Sequence, residues 1–153
     1  MNRNKIILSL LVIFIFSLGL ATKPALANKT GWHLEEDTWY FYQDNNKIQG
    51  WLKQENTWYF LDQSGAMKTG WVQDKNQRYY LGMDGAMQTG WLFENGEWYF
   101  LNNDGSMHVG WIQDDNQWYY LQSDGSMKTG WINLQDKIYF LEANGAMKTG
   151  WLD

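Results

Sequence analysis

A Gly-Trp pair recurs along this chain at Gly31-Trp32, Gly50-Trp51, Gly70-Trp71, Gly90-Trp91, Gly110-Trp111, Gly130-Trp131 and Gly150-Trp151. The first step is 19 residues and the next five are 20 each. A fixed period of this length marks a repeat array, in which each unit is one supersecondary element that buries its faces on its neighbours. No other feature restricts the fold as strongly. Whatever one unit becomes, its neighbours must become, and the stack must accept it.

Within a unit, taking the Trp of Gly-Trp as offset 0, offset 1 is aliphatic in five repeats: Leu52, Val72, Leu92, Ile112 and Ile132. Offsets 4 and 5 are Glu55-Asn56, Lys75-Asn76, Asn95-Gly96, Asp115-Asn116 and Gln135-Asp136. Offsets 7 to 10 read Trp58-Tyr59-Phe60-Leu61, with Arg78 and Ile138 replacing the Trp in two later copies. Then come Ser64-Gly65, Asp84-Gly85, Asp104-Gly105, Asp124-Gly125 and Asn144-Gly145, each followed by a Met at 67, 87, 107, 127 or 147. Asn-Gly is a strong signal for a two-residue hairpin, whose central residues need positive φ. The flanking aromatic and aliphatic runs suit strands. The sequence predicts an all-β solenoid of stacked β-hairpins built from ~20-residue repeats, since a lone two-stranded hairpin is marginal in water.

The turn sets the register: partners across a hairpin have offsets summing to nine, so Trp51 faces Phe60 and Lys53 faces Trp58. Side chains alternate faces along a strand. One face carries Trp51, Trp58 and Phe60; the other carries Leu52, Tyr59 and Leu61. The second suits an inner packing surface. The first is nearly all aromatic, and its 11 Trp residues exceed what a small core needs. Trp can serve as packing alone. Large exposed aromatic patches also mark binding sites. Two ligand chemistries fit: a quaternary ammonium held by cation–π attraction, or a sugar face stacked on flat rings.

The phrase Thr-Gly-Trp-x6-Trp-Tyr-Phe/Tyr-Leu-x3-Gly-x-Met resembles the choline-binding, or cell-wall-binding, repeat of Gram-positive surface proteins, murein hydrolases and their phages. The likeness runs over residues 31–153. It implies hairpins stacked in a left-handed superhelix, with choline groups of teichoic or lipoteichoic acid between successive hairpins. Each pocket would take two aromatics from one repeat, one from the next, and a Met. On this sequence the pockets are Trp32, Trp39, Phe60 and Met67; Trp51, Trp58, Tyr80 and Met87; Trp91, Trp98, Tyr120 and Met127; and Trp111, Trp118, Phe140 and Met147. The third wall is placed at offset 9, because that residue shares the Trp face, with the Tyr at offset 8 as the alternative. The Met could equally be soft packing between units. Arg78 puts a fixed cation where a cation should bind, so the pocket of Trp71, Arg78 and Phe100 is expected to be weak or absent. Ile138 removes a ring beside Trp131, which should lack a full pocket.

Residues 1–27 read as a secretory signal peptide: Arg3 and Lys5, the apolar run Ile6 to Leu20, and the small-x-small site Ala25-Leu26-Ala27. An uncleaved anchor is the other reading, but the run is about 15 residues and a span needs roughly 20. Cleavage would start the mature chain at Asn28. A short N-terminus of residues 28–30 would then precede a repeat domain of six repeats plus a Gly-Trp cap, residues 31–153, with no further domain. That mature chain has nine basic and 17 acidic residues, which disfavours nucleic acid or an anionic membrane and suits a cationic ligand. There is no Cys, and no motif for a metal, cofactor or nucleophile. His33 and His108 fall at unrelated repeat positions and read as surface or cap residues. Asp84, Asp104 and Asp124 recur, but Ser64 and Asn144 replace them, so the turn uses their shape and not their acidity. No enzyme is expected. The expectation is a secreted, wall-associated binding protein. The alternatives are a glucan-type carbohydrate-binding module or a remnant targeting module of a wall hydrolase. A homodimer stays open.

Overall fold

A computed structural model describes residues 28–150. The expected signal segment, residues 1–27, and residues 151–153 of the expected terminal cap lie outside the described residues. Strand β1 (Gly31–Glu35) pairs with β2 (Thr38–Gln43), which also pairs with the short β3 (Asn46–Lys47). Five two-stranded hairpins follow: β4 (Gly50–Gln54) with β5 (Thr57–Leu61), β6 (Gly70–Asp74) with β7 (Gln77–Leu81), β8 (Gly90–Glu94) with β9 (Glu97–Leu101), β10 (Gly110–Asp114) with β11 (Gln117–Leu121), and β12 (Gly130–Leu134) with β13 (Lys137–Leu141). Among the described residues there is no helix.

The expected register holds in all six hairpins. Trp51 pairs with Phe60 and Lys53 with Trp58, and the same offsets pair in every copy. The turn residues supply the conformation the two-residue loop needs. Asn95 and Gly96 have φ of 52° and 87°, and Asp115 and Asn116 have 45° and 62°. The first repeat, one residue shorter, makes a second tight turn at Asp44 and Asn45, both with positive φ, and so gains β3.

The hairpins do not join into one sheet; the connections couple them. After each second strand the chain turns and runs back beside that strand. The Lys68 amide donates to the Phe60 carbonyl, and the Asp62 amide to the Ala66 carbonyl, both at 2.8 Å. On its other side the returning segment reaches the preceding hairpin, where the Met67 amide donates to the Trp39 carbonyl at 2.8 Å. The same bond recurs from Met87 to Trp58, Met107 to Arg78, Met127 to Trp98 and Met147 to Trp118. These bonds lock each Met against the second strand of the repeat before it.

The largest fully buried side chains recur at one offset, with Val72 and Ala146 also buried. Leu61, Leu81, Leu101, Leu121 and Leu141 are fully buried, one per repeat, and Tyr42 holds the position in the first. Burying a Leu completely is worth about 1.5–3 kcal/mol, so each repeat brings its own core residue. Glu35 ties the first repeat together. It receives Lys29 and Lys47 as ion pairs and the Tyr42 hydroxyl at 2.9 Å. Hydrogen bonds from Lys29, then Tyr42 and Lys47, hold its carboxyl down at about 2.

Neither histidine is a free surface group. The buried Nε2 of His33 has no hydrogen-bond partner, and its ring meets Tyr42 edge-on. His108 is half-buried between the Asn102 side chain and the Trp111 carbonyl, at 3.0 and 3.1 Å. The hairpin stack reaches over these offsets, which a single repeat does not reveal.

Candidate functional site

Between consecutive hairpins the two Trp residues of one repeat stand at right angles. Trp51 and Trp58 have centroids 6.4 Å apart and an interplanar angle of 87°. The pairs Trp32–Trp39, Trp91–Trp98 and Trp111–Trp118 repeat this geometry, at 6.5, 6.3 and 6.3 Å. The offset 0 Trp is half-buried; the offset 7 Trp is more open, Trp58 being 38% exposed.

The third wall is the Tyr at offset 8, not the residue at offset 9. Trp51 meets Tyr79 of the next hairpin at 4.7 Å, and Trp32, Trp91 and Trp111 meet Tyr59, Tyr119 and Tyr139 at 4.9, 4.8 and 4.9 Å. This corrects the placement of Phe60, Tyr80, Tyr120 and Phe140 in the boxes. Phe60 lies on the other flank of Trp51, within its own hairpin, at 5.1 Å. Tyr80, Tyr120 and Phe140 sit likewise against Trp71, Trp111 and Trp131. The reason lies in stacking. A repeat that follows another in the same orientation presents its opposite face to it. The Trp face of one hairpin therefore meets the Leu and Tyr face of the next, and the offset 8 Tyr closes the box.

The sequence-assigned Trp pairs and Mets do come together. Trp51, Trp58, Tyr79 and Met87 line a cavity of about 290 Å³; Trp32, Trp39, Tyr59 and Met67 line one of about 360 Å³; and Trp91, Trp98, Tyr119 and Met127 line one of about 230 Å³. These sizes sit at the small end of ligand cavities. The Met is fixed from behind. A Cβ on Gly105, whose φ is +83°, would collide with the Met87 side chain, and Gly85 and Gly125 stand in the same relation to Met67 and Met107. The Trp rings are fixed at their edges. Trp51 Nε1 donates to Asp74 at 3.1 Å, and Trp91 Nε1 to Asp114 at 2.9 Å.

Each cavity also has a polar rim that one repeat does not reveal. Asp104 lines the Trp51 cavity, Asp84 and Met83 the Trp32 cavity, and Asn144 the Trp91 cavity. Each comes from the turn two repeats farther along. The Asp side chain does two jobs there. Its Oδ1 accepts the Ser106 amide at 3.0 Å and the Ser106 hydroxyl at 2.6 Å, shaping the turn. These bonds hold the Asp104 carboxyl below its usual range, so the rim is anionic at neutral pH. Burial, then the charges of Asp104 and Asp74, push the Tyr79 hydroxyl up, keeping that wall a neutral phenol. In the Trp51 and Trp32 cavities the half-enclosed aromatic box has a carboxylate at its mouth, a geometry that can hold a compact organic cation.

The repeats at residues 68–110 and 108–151 match the model of the choline-binding repeat, and residues 49–67 match that of a putative cell wall binding repeat. The chain belongs to the choline-binding repeat family. Solved members superpose on it. CbpJ from Streptococcus pneumoniae TIGR4 is 41% identical, with a TM-score of 0.77 over 82% of this chain and 47% of that one. Choline binding protein F from Streptococcus pneumoniae, solved in the presence of a peptidoglycan analogue, is 38% identical, with a TM-score of 0.75 over 82% and 47%. The pneumococcal cell wall endolysin from phage Cp-1, complexed with choline, is 32% identical, with a TM-score of 0.55 over 80% and 38%. The chain thus spans about half the length of the first two structures it matches. Among curated protein sequences it finds no match.

Two repeats of this family member depart from the box. At Trp71 the Arg78 guanidinium carbon lies 4.4 Å from the ring centroid. At Trp131 the ring is 60% exposed and Ile138 67%, and the two border an open hollow with Ile132 and Asn133. A second Trp is missing in both places, as the sequence indicates.

Proposed function

We propose that this chain is an exported, non-catalytic wall-binding protein that docks on choline groups of teichoic or lipoteichoic acid. The observation that carries this reading is the Trp51, Trp58, Tyr79 and Met87 box with Asp104 at its rim, repeated along the array. Its rings face a cavity too small for an extended glycan but suited to a trimethylammonium group. Cation–π attraction there is worth about 2 kcal/mol when desolvated. Trp32, Trp51 and Trp91 each open such a box, Trp111 brings the same rings and Met together, and a choline-bearing polymer could occupy several at once. Weak single sites then hold firmly, through effective concentration. The family repeats and the choline-complexed endolysin support the ligand class. The acidic mature chain supports a cationic group in place of a phosphate as the part recognised. Export rests on residues 1–27 as a cleaved leader, which N-terminal sequencing of secreted protein checks: the mature chain should begin at Asn28.

The test of binding is a calorimetric titration with choline chloride, followed in parallel by Trp fluorescence. Saturation at four cholines per chain is expected, with affinity per site in the millimolar range. Glucan oligomers that change the fluorescence while choline does not would establish the carbohydrate reading instead.

A further inference from the structure

The box between the third and fourth hairpins keeps every wall but one. Trp71 and Tyr99 stand 5.0 Å apart, as Trp51 and Tyr79 stand at 4.7 Å. Met107 is bonded through its amide to the Arg78 carbonyl at 2.7 Å, as Met87 is to Trp58 at 2.8 Å. Asp124 is the turn residue two repeats on, equivalent to Asp104. The missing wall is the second Trp, and Arg78 stands in its place.

The Arg78 side chain does not point away. Its guanidinium carbon is 4.4 Å from the Trp71 centroid, its Nη1 is 3.8 Å from the Met107 sulfur, and the same Nη1 donates to the Asp124 carbonyl at 3.4 Å. These three groups are the counterparts of the ring, the Met and the rim residue that line the neighbouring cavities. Hydrogen bonds from Ser126 hold the Asp124 carboxyl low, and the charge of Arg78 adds to this. An exposed Arg resting on a Trp needs only the ring. Contact with three walls from three different repeats is the arrangement of a guest.

We propose that Arg78 is a tethered ligand: its guanidinium occupies the Trp71 box as a free quaternary ammonium occupies the others. The proposal rests on reading the open boxes as cation sites. It gives the array a central joint that is closed without ligand, because one cation links the third, fourth and fifth repeats. The first repeat shows a similar device: Lys47 Nζ lies 3.2 Å from the centroid of Tyr40, the offset 8 Tyr of that repeat. Arg suits the task, since its planar guanidinium stacks on aromatic faces and keeps its charge at any accessible pH.

The experiment uses the full chain, choline chloride, and the variants Arg78→Trp and Arg78→Ala. Arg78→Trp completes the box and removes the guest, so calorimetry should count five cholines per chain against four in wild type. Arg78→Ala vacates the box. Its thermal midpoint in buffer should fall by several degrees, and saturating choline should raise it by more than it raises wild type. A natively folded Arg78→Trp that still binds four, or an Arg78→Ala with the wild-type choline increment, overturns the proposal. Wild-type protein that takes up no choline at all sinks the wall-binding reading, and this inference with it. Wild-type uptake with unchanged variants sinks this inference alone.

Discussion

The Trp51 and Trp71 boxes share a Trp floor, a Tyr from the next hairpin, a Met behind and an Asp turn at the rim. One side chain separates them, Trp58 in the first and Arg78 in the second. Every repeat keeps the offset 0 Trp, whereas Arg78 and Ile138 replace the offset 7 Trp in two of them. Trp58, Trp98 and Trp118 are among the more exposed large apolar groups of the described residues, at 38, 42 and 41%. On the proposed function, the half-buried Trp serves packing and site together, and the more exposed Trp serves chiefly the site.

The largest effect should come from breaking the shared wall. Trp51→Ala removes the contacts to Trp58, Phe60 and Tyr79 and the bond to Asp74. It should cost about 3 kcal/mol of stability and one bound choline. Trp71→Ala should cost a similar amount, having lost Tyr80, Tyr99 and Arg78 as partners, but leave the choline count unchanged. Denaturant unfolding and calorimetry on the two variants make the comparison. Equal losses of choline would erase the distinction between the boxes.

The exposed Trp gives the converse. Trp58→Ala should abolish one site, by roughly 30-fold or more if about 2 kcal/mol of cation–π attraction is removed. Its effect on stability should be smaller than that of Trp51→Ala, because more of the Trp58 ring stands in solvent. Thermal unfolding without choline, beside a choline titration, separates the two readouts.

That division of labour also explains what the sequence made legible. The period, the turn residues and the pairing offsets all follow from interactions within one repeat, and the hairpins form in the register they dictate. The Trp pairs and the Mets were readable for the same reason, since each recurs at a fixed offset. The third wall was not. Phe60 and Tyr59 are adjacent, both aromatic, and on opposite faces of one hairpin. Which of them meets the preceding Trp depends on how hairpins stack, and strand alternation within a repeat carries no information about that. The same blindness hid the rim. Asp104 lies 53 positions after Trp51, and its turn chemistry already accounts for its residue type. Only a fold in which the returning connection reaches over earlier hairpins gives it a second use.

A glycine pair tests whether the Met matters as a wall or only as packing. Gly105→Ala and Gly125→Ala impose the same positive-φ strain and press on Met87 and Met107 respectively. Each should cost about 1–3 kcal/mol. Only Gly105→Ala should weaken choline at one site, because Met87 lines an open box while Met107 already touches Arg78. Equal choline isotherms for the two variants would assign the Met to packing.

The smallest effect concerns charge at the rim. Asn144 shows that an amide can hold the turn, since its Oδ1 accepts the Ala146 amide at 3.0 Å as Asp104 accepts that of Ser106. Asp104→Asn should therefore fold normally and weaken choline in the Trp51 box about two- to five-fold, the scale of a partly solvated ion pair worth under about 1 kcal/mol. Asp124→Asn, at the closed box, should leave choline binding unchanged. The pH dependence follows from the sign of the shift. Hydrogen bonds from Ser106 depress the Asp104 carboxyl, so it stays ionised through the usual carboxylate range. The stability it adds is fully present above the ordinary value of about 3.9 and is lost only as pH falls through the lowered one. The affinity gap between wild type and Asp104→Asn should hold constant from neutral pH down through the ordinary carboxylate value of about 3.9 and close only below it. A gap that narrows near neutral pH would mean that some other group, and not this carboxylate, attracts the cation.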